Sequence, residues 1–202
     1  MDEIVRQAIA KWPNVPHCYG WLALDARGAW RMLDERAQAL RLPGDKIIHP
    51  ALLGFINRNY MHDEAGRWYF QNGPQRVYVN LEVAPFVART DPRHGFVLHT
   101  EEPLPVIDDV WLTGTGQVIL ASGEKAALMD DRDTAQLIEH FHTGGKPVGD
   151  EELMRWLAGD PAEISLTFIH SNRHIPVHRI AADAIAAHFG FIKTPQPDNA
   201  GK

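Results

Sequence analysis

His170, His174 and His178 stand four residues apart, the spacing that would line three imidazoles along one helix face and hold a transition metal. Pro176 interrupts the run and apolar residues alternate around it, so the expected local structure is a turn followed by a strand. On a strand His174, Pro176 and His178 share one face while Ile175 and Val177 turn inward. The three-histidine set therefore dissolves, and no metal site is expected. Of the 11 histidines, His140 and His142 also lack the four-residue spacing and nearby Glu of a zinc-protease helix. They suit a helix C-terminus, where positive charge meets unpaired carbonyls. His49, before Pro50, reads as a helix-boundary residue.

Nucleophiles are no better served. Ser122 and Ser165 lie in no elbow motif. Cys18 has only the neighbouring His17, and adjacency in sequence is not the approach a Cys–His dyad requires. Gly114-Thr-Gly116 and Gly144-Gly145 lack the Lys-Ser/Thr ending of a phosphate loop and the strand–turn–helix setting of a dinucleotide fingerprint. They read as turns, and no cofactor is expected.

What remains is polar matter on two hairpins. Gln71, Asn72, Gln75, Arg76, Tyr78 and Asn80 belong to the first, and His170, Asn172, Arg173 and His174 to the second. Arginine grips carboxylates and phosphates with a planar fork, and tyrosine offers a flat apolar face with a hydroxyl. The expected ligand-binding set is Asn72, Gln75, Arg76 and Tyr78 with Arg173 and His174. Arg76 would hold an anionic group, Tyr78 would stack, and Asn72 and Gln75 would orient. The competing reading makes Arg76 and Tyr78 an ordinary cross-strand surface pair.

The elements that must position these residues follow from periodicity. From Gln75 to Val83 the alternation is unbroken, with Val77, Val79, Leu81 and Val83 on one side and Arg76, Tyr78, Asn80 and Glu82 on the other. With Arg67 to Phe70 and an Asn72-Gly73 turn, this predicts a β-hairpin. Residues 1–12 predict an amphipathic helix, 20–24 and 29–33 a strand pair, and Pro50 opens a helix with Leu52, Phe55, Ile56 and Tyr60 inward. Three short strands follow from Val110 to Met129. A helix is expected from Asp131 to Phe141 and another from Asp150. Ile164 to Phe168 and Ile175 to Val177 then form a second hairpin around Ser171-Asn172-Arg173, and a last helix spans 181–189. Phe70, Val77 and Val79 have counterparts in Phe168, Ile175 and Val177 at one constant offset.

Composition bounds the rest. At 202 residues and 45% hydrophobic, the chain can bury a core. A net charge of −6 argues against a nucleic-acid or membrane surface built on bulk electrostatics. The single cysteine excludes an intrachain disulfide. The acidic N-terminus is unlike a signal peptide, and no apolar run approaches a membrane span. A cytoplasmic address is the expectation.

Gly66-Arg-Trp-Tyr-Phe-Gln-Asn-Gly-Pro-Gln-Arg-Val-Tyr-Val79, Gly20-Trp-Leu-Ala-Leu-Asp25 and Lys125 to Asp133 resemble a family of uncharacterised proteobacterial proteins classed as a domain of unknown function. The likeness covers nearly the whole chain and implies no activity. Glu82-Val-Ala-Pro-Phe-Val-Ala88 resembles, more distantly, a second family of unknown function, departing from it at Val83, where an Asp-like residue is usual. That resemblance implies a duplicated α+β core, a pleckstrin-homology-like C-terminal half and a nucleotide-type ligand between the halves.

The expected fold is α+β: an N-terminal helix (1–13), two related subdomains of antiparallel strands and short helices (14–100 and 105–192) arising by internal duplication, and a disordered tail (193–202). The expected function is a non-catalytic bacterial module for binding or signalling through a small anionic or nucleotide-like ligand. The alternatives are a hydrolase using histidine and carboxylate groups, with or without a metal ion, and an interaction protein, or oligomer, pairing through an exposed edge strand.

Overall fold

Two sheets carry the chain, and each grows from the same plan. The computed structural model describes residues 1–159 and 164–198. These fall into two units, one of residues 1–85 with 190–198, the other of residues 86–189.

The first unit opens with helix α1 (Glu3–Lys11), then strands β1 (Cys18–Leu24) and β2 (Trp30–Met32), a short helix α2 (Glu35–Leu40) and β3 (Asp45–Lys46). Asp34 caps α2 by accepting from the Ala37 amide at 2.7 Å. Helix α3 (Pro50–Arg58) leads into β4 (Tyr60–His62), β5 (Trp68–Asn72) and β6 (Gln75–Leu81). Pro50 supplies the fixed φ of a first turn, and the His49 ring accepts from the Leu52 amide. The sheet runs β3-β2-β1-β6-β5-β4, antiparallel except where β6 lies parallel to β1. Leu22, Leu24, Trp30, Phe70, Val79 and Leu81 are all buried. The edge-on rings of Phe55 and Phe70, with Trp30 Nε1 donating to Asn57 Oδ1 at 2.8 Å, tie α3 to this sheet.

The second unit contains β7 (Phe86–Asp91), β8 (Gly95–Leu98), β9 (Asp109–Leu112), β10 (Val118–Ser122) and β11 (Lys125–Met129). After α4 (Thr134–Leu137) and a 3-10 turn (Ile138–His140) come β12 (Phe141–Thr143), β13 (Lys146–Pro147), α5 (Asp150–Ala158), β14 (Leu166–His170), β15 (Arg173–Arg179) and α6 (Ile185–His188). The order is β13-β12-β14-β15-β9-β10-β11-β7-β8, with β15 parallel to β9 and β7 parallel to β11.

With β13 and the β7–β8 hairpin set aside, the two orders coincide: three meandering strands, a helical connection, three more strands, and the last lying parallel to the first. The register coincides as well. Phe70 pairs with Val77, and Phe168 with Ile175. Val79 pairs with Leu22, and Val177 with Val110. The fold is thus α+β in two related units, consistent with duplication.

Some boundaries differ from those expected. Residues 86–98 join the second unit because β7 pairs with β11, not with the first sheet. Residues 190–198 return to the first unit, where the Ile192 amide donates to the Gly66 carbonyl and the Leu81 amide to the Lys193 carbonyl. Of the tail expected to be disordered, 193–198 is therefore placed, and 199–202 lies outside the described residues. The helix expected up to Phe141 stops at Leu137, since Phe141 and Thr143 are drawn into pairing with Phe168 and Leu166. Gly144-Gly145 then turns β12 into β13. Among the described residues no helix is long and apolar enough to cross a membrane.

Candidate functional site

On β6 the alternation has an unexpected result: both faces bury side chains. Val79 and Leu81 face the α3 side, while Tyr78, on the face expected to be a polar working surface, is only 1% exposed. Its ring stacks on Tyr19 at 4.5 Å between centroids and meets Tyr69 and His17 edge-on. Its hydroxyl donates to Asp63 Oδ2 at 3.1 Å.

Asp63 organises the turn between β4 and β5. Oδ1 accepts from the amides of Ala65 and Arg67, and Oδ2 accepts from Arg67 Nε at 2.8 Å. Gly66 has φ +74, and a Cβ there would lie 2.1 Å from the Gly190 carbonyl oxygen, so only glycine fits. Burial raises the Asp63 carboxyl, but the hydrogen bonds from Arg67 and Tyr78 outweigh it and leave it below its ordinary value. Arg67 also donates to Asp198, and that bond followed by the one to Asp63 pushes its guanidinium further up. Arg67 is thus held between two carboxylates and lies over the Tyr78 ring.

Arg76 is different. It is half-buried, with its guanidinium 4.6 Å from the centre of the Tyr69 ring, and no carboxylate forms an ion pair with it among the described residues. Burial pulls its basicity down. Closeness to the Tyr78 hydroxyl, then to Tyr69 and the Asp63 charge, outweighs that and holds the guanidinium above its ordinary value. Partial loss of hydration and then the Arg76 and Arg67 charges hold the neighbouring His17 imidazole below its ordinary value. A polar relay thus runs from Tyr78 through Asp63 to Arg67, and Arg76 stands beside it with no carboxylate ion pair among the described residues.

The other expected residues are distributed as follows. Asn72 and Gln75 pair across the hairpin end, on the Val77 side of β6 and not the Arg76 side. Gln75 Nε2 donates to the Pro16 carbonyl at 2.9 Å. Arg173 and His174 are exposed on β15 of the second unit, where the shared register makes them the counterparts of Gln75 and Arg76. His174 pairs with Ile169, and Arg173 with His170, so neighbours on β15 project from opposite faces. His178 bonds Asp109 Oδ1 at 3.1 Å and packs on Trp111. Among the described residues no group of three or more His, Cys, Asp or Glu could hold a metal ion. Burial pushes the Cys18 thiol up, away from the thiolate a nucleophile needs. Asp63, Arg67, Tyr19 and Tyr69 were missed as site residues. The signal for the first two was the Asp63-x-x-Gly66-Arg67 turn, with opposite charges four apart.

The model of the family DUF2944, described as "Protein of unknown function (DUF2946)", matches residues 1–196. The chain belongs to that family. No curated protein matches it. Among solved structures, a DUF1285 family protein from Silicibacter pomeroyi DSS-3 is similar at 14% identity, covering 87% of this chain and 94% of that one with a TM-score of 0.47. The family description assigns no activity, so a functional reading rests on the side chains of the site.

Proposed function

We propose that the protein is a non-catalytic cytoplasmic module that binds a small anionic ligand, nucleotide-like or simpler, at Arg76. One observation carries the reading: a half-buried guanidinium stacked on Tyr69, with no carboxylate partner among the described residues, beside Arg67, which has two. Arg76 has five N–H donors, and none of them forms a side-chain hydrogen bond among the described residues. These donors would form charge-assisted bonds to a phosphate or carboxylate. The relay from Tyr78 to Asp63 holds the platform still, so little ordering entropy opposes binding. The neighbouring thiol, Cys18, is pushed up by burial and so held as the weakly nucleophilic protonated form, which favours binding over hydrolysis. Pairing through an edge strand is less supported. The outermost strands β3, β4 and β13 have two or three residues, and β8 is bridged by Pro103 at Val97.

The test is a thermal-shift titration with phosphate, pyrophosphate and adenosine monophosphate. At least one should raise the melting temperature of the wild type, and Arg76→Ala should abolish the shift. Stabilisation by none of them, or an equal shift in the variant, sinks the reading. Asn72, Gln75, Arg173 and His174 are the next positions to substitute.

A further inference from the structure

A cleft lies within the second unit, lined only by residues of that unit. Its volume is about 460 Å³, in the range of small-molecule sites, and its walls come from four places, one of them Gln136 of α4. The β7–β8 turn supplies Thr90, Asp91 and Phe96, the 3-10 turn supplies Glu139 and His140, and the end of β14 supplies His170.

Hydrogen bonding inside the walls determines what is left for a ligand. The His140 Nδ1 atom lies 2.7 Å from the Ile169 carbonyl oxygen. A carbonyl only accepts, so Nδ1 carries the proton, and in the neutral ring Nε2 is left as an acceptor. His170 packs against Phe96 and over Gly95, where φ is +75 and a Cβ would come within 2.6 Å of the ring. Burial, then the neighbouring His140, keeps His170 below its ordinary basicity. The Thr90 hydroxyl is engaged with Asp133 and Gln136, and Asp91 accepts from the Arg93 and His94 amides of its own turn. Glu139 is exposed and has no ion pair or hydrogen bond to another described residue. Neither Lys nor Arg lines the cleft. Arg93 and Arg173, near it in sequence and register, are exposed and outside its walls.

The cavity therefore offers carboxylate charge, imidazole acceptors and an aromatic wall, with no cationic donor and the Gln136 amide, whose oxygen Thr90 occupies, as its main neutral one. We propose that it binds a small organic ammonium compound. The ammonium group donates to Glu139 and to the His140 and His170 acceptors, and its apolar part lies against Phe96.

Isothermal titration of the full chain at neutral pH tests this with phenethylamine and 1,4-diaminobutane. The matched 2-phenylethanol and phenylacetate serve as neutral and anionic controls. Saturable binding of at least one amine is expected, with affinity falling about tenfold in Glu139→Gln, an exposed position where folding is not at risk. His170→Phe, which keeps the ring packing, should weaken binding again. Arg76→Ala should leave it unchanged, which separates this cleft from the anion site. Heat from neither amine, binding of the alcohol or the acid as tight as that of phenethylamine, or unaltered affinity in Glu139→Gln would each overturn the proposal.

Discussion

Arg76 and Arg67 share a neighbourhood but differ in compensation, and His17 reports the difference. The two guanidiniums lower the basicity of its ring after partial loss of hydration has done so. An anion bound at Arg76 would cancel part of that field and move the His17 imidazole back up towards its ordinary value. Binding is then linked to proton uptake, so anion affinity should rise as pH falls through the His17 value. Expected is a several-fold tighter affinity near pH 5.5 than near pH 8, on the order of one charge pair at the surface. His17→Gln should flatten the profile, and a flat profile in the wild type would remove His17 from the site. Only part of this site was legible beforehand. Arg76 and Tyr78 stand out as polar residues in a strand, but the burial of Tyr78 depends on Tyr19, fifty-nine positions away on a parallel neighbour. Local alternation carries no information about such a partner.

At the scale of elements, the Asp63–Arg67 turn distinguishes the two halves. In the first unit β4 and β5 are joined by this tight turn. In the second, the corresponding connection from β12 to β14 is long and includes β13 and α5. Thr167 and Pro176 occupy the counterpart positions of Tyr69 and Tyr78, so the aromatic platform has no equivalent there. The hairpins themselves were readable because alternating apolar residues and short turns are local signals. The 141–143 strand was not, since its pairing with β14 overrides the helical spacing of Leu137, Ile138 and Phe141. Asp63→Asn tests how much the turn contributes. The Asx geometry survives while the charged bonds to Arg67 and Tyr78 weaken, costing about 1–3 kcal/mol at neutral pH. Because the folded carboxyl lies below 3.8, its contribution is fully present above that value and fades as pH falls through the folded one. Urea melts should show the wild type converging on the variant in acid. A constant gap from neutral to acid pH would mean that charge is not what Asp63 contributes.

For the whole molecule, the chain that leaves the first unit at Pro85 comes back at Gly190, and that return is more than a trailing end. Phe191 is buried, the Ile192 amide reaches the Gly66 carbonyl at 3.0 Å, the Leu81 amide reaches Lys193 at 2.7 Å, and Asp198 meets Arg67. Pro, Asn and Gly composition in the last residues pointed to disorder because it reports local preference and not these distant partners. Removing residues 190–202 should therefore act on the first unit. Loss of the Phe191 burial alone costs about 2–3 kcal/mol, and the vacated Leu81 amide and Arg67 guanidinium add to it. Hydrogen exchange should speed up about ten- to a hundredfold or more at the amides of β5, β6 and the Asp63 turn. Phe86–Phe189 serves as the internal control, since none of these links involves it. Unchanged protection of β6 in the truncated chain would show that the returning segment adds nothing to the first unit.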